Sequence, residues 1–228
     1  MICAIHQPQY LPYLGFFDKM KRSDVFVFLD DCQFKKNEWQ NRNRIRTKDG
    51  WQWITVPVRY RFGEEIKEIE INNNTNWRNK HLQALQTNYG RAPCFKKHID
   101  FFREAYGKNW ELLVDINLHF IGYLMEALGI KTETTLSSQL GIKTTGTRRL
   151  INITKKIGAD TYLSGPGGRE YLETEEFKEA GIKLVFQEFR HPEYNQQFEG
   201  FIPNLSVVDF LFNCGDIAGE TSNVGGIS

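Results

Sequence analysis

The chain opens on a short apolar run, Cys3-Ala4-Ile5, that breaks at His6-Gln7-Pro8, the pattern of a buried strand passing into a loop. Leu14, Phe16, Phe17 and Met20 then recur at helical spacing, and Val25 to Leu29 is continuously apolar over strand length. Strand, helix, strand in that order predicts a parallel pair joined by a crossover helix, with both faces of the sheet covered. Trp51 to Val58 reads as a strand whose Pro57 belongs at an edge or an end, and Ile66 to Ile71 as a more exposed one. Helical spacing follows over Trp77–Tyr89, Phe95–Tyr106, Trp110–Leu128 and Arg148–Ile157, whereas Leu136 to Thr147 is polar, holds two glycines and reads as a mobile loop. The opening arrangement then returns: strand Thr161-Tyr162-Leu163, a glycine loop, helix Arg169 to Ala180 and strand Ile182 to Phe189. A last helix starts near Ser206, with Asp209 three residues on as a weak capping box.

These elements predict an α/β fold, a mostly parallel sheet flanked by helices in a Rossmann-like arrangement, with a helix-rich middle region. The expected organisation is a single domain over 1–216 with a helical insertion at about 77–157, and a flexible tail at 217–228 where small polar residues take over. The length of 228 residues gives ample material for one core.

Charge narrows the function classes. A formal net charge of +1 argues against general nucleic-acid binding. No apolar run approaches a membrane span, and no basic stretch precedes an apolar one near Met1, so a cytoplasmic protein without membrane insertion is expected. The four cysteines lie far apart and lack the paired spacing of a zinc site, so neither disulfides nor structural zinc is indicated. A homo-oligomer and a bound divalent cation both stay open.

The candidate chemistry clusters in four places. His6 stands at a strand end in a loop stiffened by Pro8 and Pro12 and lined by Gln7 and Tyr10, and imidazole ionises near neutrality, which suits proton transfer. Asp30 and Asp31 end the second strand, followed by Cys32 and Gln33; one carboxylate could orient His6, accept a substrate proton or hold a divalent cation, the alternative being a cap or a solvated turn. Cys32 reads as packing rather than as a nucleophile. Between Lys35 and Lys48, six basic residues, among them Lys36, Arg42 and Arg44, stand against one acid, Glu38, with Trp39 and Asn41 interleaved. Guanidinium forks match phosphate, so this stretch is a candidate anion clamp for a phosphate-bearing small molecule or carrier-bound substrate. Ser164, Gly165, Gly167 and Gly168 offer backbone amides at the start of the expected helix, and His191, Tyr194 and Gln196 repeat the vocabulary of the first loop after another strand. His81, His98 and His119 lie on helical stretches and read as structural.

His6 to Phe16, Leu29-Asp30-Asp31-Cys32-Gln33-Phe34, Trp39 to Ile45, Gly158 to Gly165, His191 to Gln196 and Leu205 to Asp209 resemble the WbqC-like protein family over nearly the whole chain. That resemblance implies a place among bacterial surface-polysaccharide clusters, O-antigen included, with an activated sugar or a carrier-bound precursor as substrate. The expectation is a transferase that acylates or aminoacylates an amino sugar from an acyl thioester or nucleotide donor, the alternatives being a nucleotidylyltransferase-like enzyme acting on a triphosphate or a non-catalytic ligand-binding protein. His6 would be the base, Asp30 or Asp31 its orienting group, and Arg42 with Arg44 the grip on phosphate. A more distant resemblance is to nucleotidylyltransferase-like enzymes, whose His-x-Gly-His loop steadies a triphosphate. Here His6 holds the first position, and Pro8 and Gln9 hold the other two.

Overall fold

A computed structural model describes residues 1–215; the boundary expected at 216 and the tail beyond it lie outside the described residues. In chain order the strands are β1 (Ile2–His6), β2 (Val25–Phe28), β3 (Arg42–Thr47), β4 (Gly50–Thr55), β5 (Val58–Arg59), β6 (Glu70–Ile71), β7 (Glu133–Leu136), β8 (Thr161–Ser164) and β9 (Lys183–Phe186). The α-helices are α1 (Leu14–Lys21), α2 (Trp77–Tyr89), α3 (Phe95–Gly107), α4 (Leu113–Ala127), α5 (Gly146–Ile157), α6 (Thr174–Glu179) and α7 (Val207–Cys214). The chain divides into two compact units, one built from residues 1–8, 15–32 and 130–190, the other from 9–14, 33–129 and 191 onward.

The first unit is a five-stranded parallel sheet in the order β7-β2-β1-β8-β9. Counted along the chain, its strands run third, second, first, fourth, fifth. The direction of winding therefore reverses at β1, and such reversals leave a crevice beyond the carboxyl ends of the two strands concerned, here β1 and β8. The apolar character of β1 and β2 follows from this position: Cys3, Ala4, Phe26 and Val27 are fully buried, because helices cover both faces. Cys3, Ile5, Val25 and Val27 pack with Leu150, Ile151 and Ile153 of α5, and Phe177 of α6 joins them. The Phe177 ring stacks on Tyr162, with centroids 5.3 Å apart.

Two expectations need correction here. The stretch read as a loop from Leu136 is entered by a strand, β7, paired to β2 through Val25–Glu133 and Phe28–Leu136. Made of Glu133, two β-branched threonines and Leu136, and exposed at its first two residues, β7 carries no apolar run because it is an edge. The helix expected from Arg169 to Ala180 is instead a short 3-10 helix, Pro166–Glu170, followed after a break by α6.

The second unit holds the β3–β4 hairpin, the short β5–β6 ladder and helices α2, α3, α4 and α7. Its core is aromatic, with Phe102, Phe120, Tyr89 and Phe212 all fully buried. Ile66 to Ile71, read as one strand, is a 3-10 turn (Ile66–Glu68) followed by β6, and its alternation is uneven for that reason. Ser206 caps α7 as expected, its Oγ accepting from the Val208 amide at 3.4 Å.

Candidate functional site

In the first unit, β1 delivers His6 to the carboxyl edge of the sheet, beside the reversal point. The imidazole is partly exposed. Its Nδ1–H donates to the Gln7 carbonyl at 3.0 Å, and its ring meets Phe16 edge to face at 5.2 Å. The carbonyl accepts, so the proton sits on Nδ1 and Nε2 keeps its lone pair. That atom has no hydrogen-bond partner among the described residues. Desolvation first, and the nearby charge of Lys19 second, lower the His6 pKa to about 3, leaving the ring neutral at physiological pH.

Lys19 is the residue that sequence reasoning missed. It lies on α1 with Phe16, Phe17 and Met20 and is 2% exposed. Its ammonium donates to the Ile5 carbonyl at 3.1 Å and sits 5.8 Å from the Phe26 ring centroid. No carboxylate is paired with it among the described residues. Burial lowers its pKa to about 7. A Cβ added at Gly165 would come within 4.0 Å of Nζ, which places Lys19 beside the loop that follows β8. The available signal was a lysine within one turn of Phe16 and Met20, on the face that packs inward; it reads instead as a helix-end charge next to Lys21.

The twin acids are committed elsewhere. Asp30 is 2% exposed; it accepts from Ser137 Oγ at 3.1 Å, the Ser138 amide at 3.0 Å and Ser138 Oγ at 2.6 Å. Asp31 accepts from Ser137 Oγ and pairs with Arg149 at 2.5 Å. Both carboxylates thus tie the end of β2 to the turn after β7 and to α5, and neither is hydrogen-bonded to His6. The His6-orienting group is the Gln7 carbonyl. Gln7 also donates its amide to Cys32 Sγ at 3.1 Å, and burial pushes the Cys32 thiol up to about 11, so it is not a thiolate at neutral pH.

The glycine loop is shaped by packing. A Cβ on Gly168 would fall 2.1 Å from Ser164 Oγ and 2.9 Å from Leu172 Cδ1, whereas Gly167 has open space. Ser164 Oγ donates to the Gly165 carbonyl at 3.1 Å. Behind this loop, Gln187 just past β9 donates to the Gly15 carbonyl and to Asp18, at 2.8 and 2.6 Å, pinning the start of α1.

The remaining candidates belong to the second unit. On β3, Arg42 and Arg44 do share one face: Arg42 stacks on Trp53 at 4.0 Å, and Arg44 lies 5.0 Å from Trp51 and 5.7 Å from Trp39. Arg44 reaches the Asn204 carbonyl at 3.3 Å, while the Arg42 guanidinium has no hydrogen bond or ion pair among the described residues. Arg46, also on β3, is 3% exposed and spends its guanidinium on the carbonyls of Thr47, Gly50, Glu199 and Gly200. Lys36 is exposed, over the Tyr60 ring at 5.7 Å, and Gln33 is exposed in a bridge to Glu65. Asn41 is buried and bonds to the Val56 carbonyl and the Asn37 amide. Tyr10 is fully buried, its hydroxyl 2.8 Å from His81 Nδ1 and 2.6 Å from Tyr106. Tyr194 and Gln196 both donate to the buried Asp209, at 2.8 and 2.9 Å, whereas His191 is half-exposed beside Phe201. Among the described residues, no three of His, Cys, Asp and Glu gather in a way that could hold a metal ion, and no helix is long and apolar enough to cross a membrane.

The profile of the WbqC-like protein family matches residues 7–221. A protein of Mycobacterium tuberculosis (strain ATCC 25618 / H37Rv), described as "Uncharacterized protein Rv1507c", is 35% identical over 216 residues, which is 93% of each chain. No solved structure matches the chain.

Proposed function

Because the chain belongs to the WbqC-like protein family, we propose that it is a transferase of bacterial surface-polysaccharide or activated-sugar biosynthesis, passing an acyl or aminoacyl group to the amine of an amino sugar. The observation that carries this reading is the free Nε2 of a neutral His6 at the point where the sheet reverses. The acceptor nitrogen attacks the donor carbonyl carbon and a C–N bond forms. The bond to the donor's sulfur or oxygen then breaks, the leaving group keeps its electron pair, and the proton shed by nitrogen passes to Nε2. Lys19 tunes this base. Burial foremost, and the Lys19 charge second to it, keep the imidazole deprotonated in the free protein, and a phosphate on the substrate would offset that charge and lift His6 toward the range where a general base is effective.

The test is single-turnover transfer from an acyl thioester to a nucleotide-linked amino sugar with His6→Ala. The expected result is loss of transfer with substrate binding kept, and unchanged turnover would defeat the assignment. A second reading, nucleotidyl transfer from a triphosphate, draws on the strand order and on the His6 loop. Gln9 stands at the second histidine position, so that reading lacks a second imidazole for the triphosphate. Pyrophosphate release separates the two.

A further inference from the structure

The second unit contains a pocket of about 410 Å³ between β4 and α2, within the size range of small-molecule sites. Trp53, Trp77, Lys80 and His81 line it, together with Gln52 and Thr75. Trp53 is 38% exposed and is braced on several sides: Arg42 stacks on it at 4.0 Å, Trp51 meets it edge to face at 5.4 Å, and Trp39 lies at 5.6 Å. An indole held this firmly is a preorganised platform, because the entropy of fixing it is already lost before any ligand arrives. His81 is anchored below by Tyr10 and stays neutral. The positive charge at the pocket therefore comes from Lys80, which is exposed and makes no side-chain hydrogen bond or ion pair among the described residues. The Arg42 guanidinium, one stacking distance from Trp53, is likewise without a hydrogen-bond partner.

We propose that this pocket binds a phosphorylated sugar ring, with the C–H face of the pyranose against the Trp53 indole, hydroxyls meeting Gln52 and Thr75, and the phosphate on Lys80. A purely apolar ligand would leave the Lys80 ammonium and the Gln52 amide unused, whereas a sugar phosphate engages both. The proposal concerns the second unit alone, and it is read by binding.

The experiment titrates the full chain with glucosamine 1-phosphate, following tryptophan fluorescence and calorimetry, with glucosamine, inorganic phosphate and uridine monophosphate as comparisons. Saturable binding of glucosamine 1-phosphate, at least tenfold tighter than glucosamine or phosphate alone, is expected. Lys80→Glu, an exposed change that leaves the fold intact, should weaken it tenfold or more, as should Trp53→Ala, while His6→Ala should bind normally. Binding unaffected by Lys80→Glu, binding lost only in His6→Ala, preference for uridine monophosphate, or no binding at millimolar probe would each overturn the proposal.

Discussion

The Lys19 ammonium donates to the carbonyl of Ile5, the residue immediately before His6 on β1, across 3.1 Å. A buried cation with no carboxylate partner is costly, and a fold keeps one only where its charge has a use or the cost is tolerated.

That cost gives a stability prediction. The folded-state pKa of Lys19, about 7, lies below its ordinary 10.5, so between those values the unfolded chain binds more protons and stability rises with pH. Lys19→Met should therefore raise the unfolding free energy at pH 7 by a few kcal/mol, on the order expected for removing a buried unpaired charge, and should flatten its rise between pH 7 and 10.5. Denaturant melts at several pH values check this. If Lys19 serves only packing, transfer activity should survive in the same variant; if it tunes His6, the pH profile of turnover should move.

Acid should unfold the protein through two histidines. His6 falls to about 3 and His81 to about 4, both below the ordinary 6.5. Their contribution is present above 6.5 and is lost as pH falls toward the folded values, where both rings must charge. His6→Asn should reduce the drop in melting temperature between pH 6.5 and 4, measured by calorimetry, without changing stability at pH 8 by more than about 1 kcal/mol.

Asp30 separates an anchor from a catalytic group. Asp30→Ala takes the acceptor from the Ser138 amide and hydroxyl, while Ser137 keeps Asp31, and the expected loss is about 2–4 kcal/mol of stability. A variant equally stable but catalytically dead would instead return Asp30 to the chemistry.

Gly168→Ala tests the shape of the loop after β8. Its Cβ would meet Ser164 Oγ at 2.1 Å, so a loss of about 1–3 kcal/mol is expected from overpacking. Gly167→Ala, with open space around it, should cost little, and comparing the two melts decides between packing and ligand contact as the reason for the glycines.

Tyr10→Phe should lower stability by roughly 1–3 kcal/mol, since it removes the hydroxyl that His81 and Tyr106 share. Substrate affinity should not change, because the ring is wholly buried.

The parallel core was legible because its strands are oily on both faces: Val25 to Phe28 needs no neighbour to be recognised. β7 was not, since an edge strand of Glu133, two threonines and Leu136 carries no such run, and only its pairing with β2 identifies it. The position of His6 followed from the Pro8 break after an apolar strand. The true occupations of Asp30, Tyr10 and Gln196 did not, because each depends on partners far off in sequence, Ser138, His81 and Asp209, that local pattern cannot supply. Lys19 failed for a related reason: a charged residue near a helix end is ordinarily solvated, and only packing shows that this one is enclosed.

The pairing of Ile2 with Thr161 has a consequence for biosynthesis. Among the strands of this sheet the central one is made before the others, yet its β8 neighbour emerges roughly 160 residues later. Until then the nascent strand carries an edge of unpaired backbone N–H and C=O groups that local contacts cannot close, and joining partners so distant is slow. Synthesis thus passes through a long interval in which that edge stands unpaired.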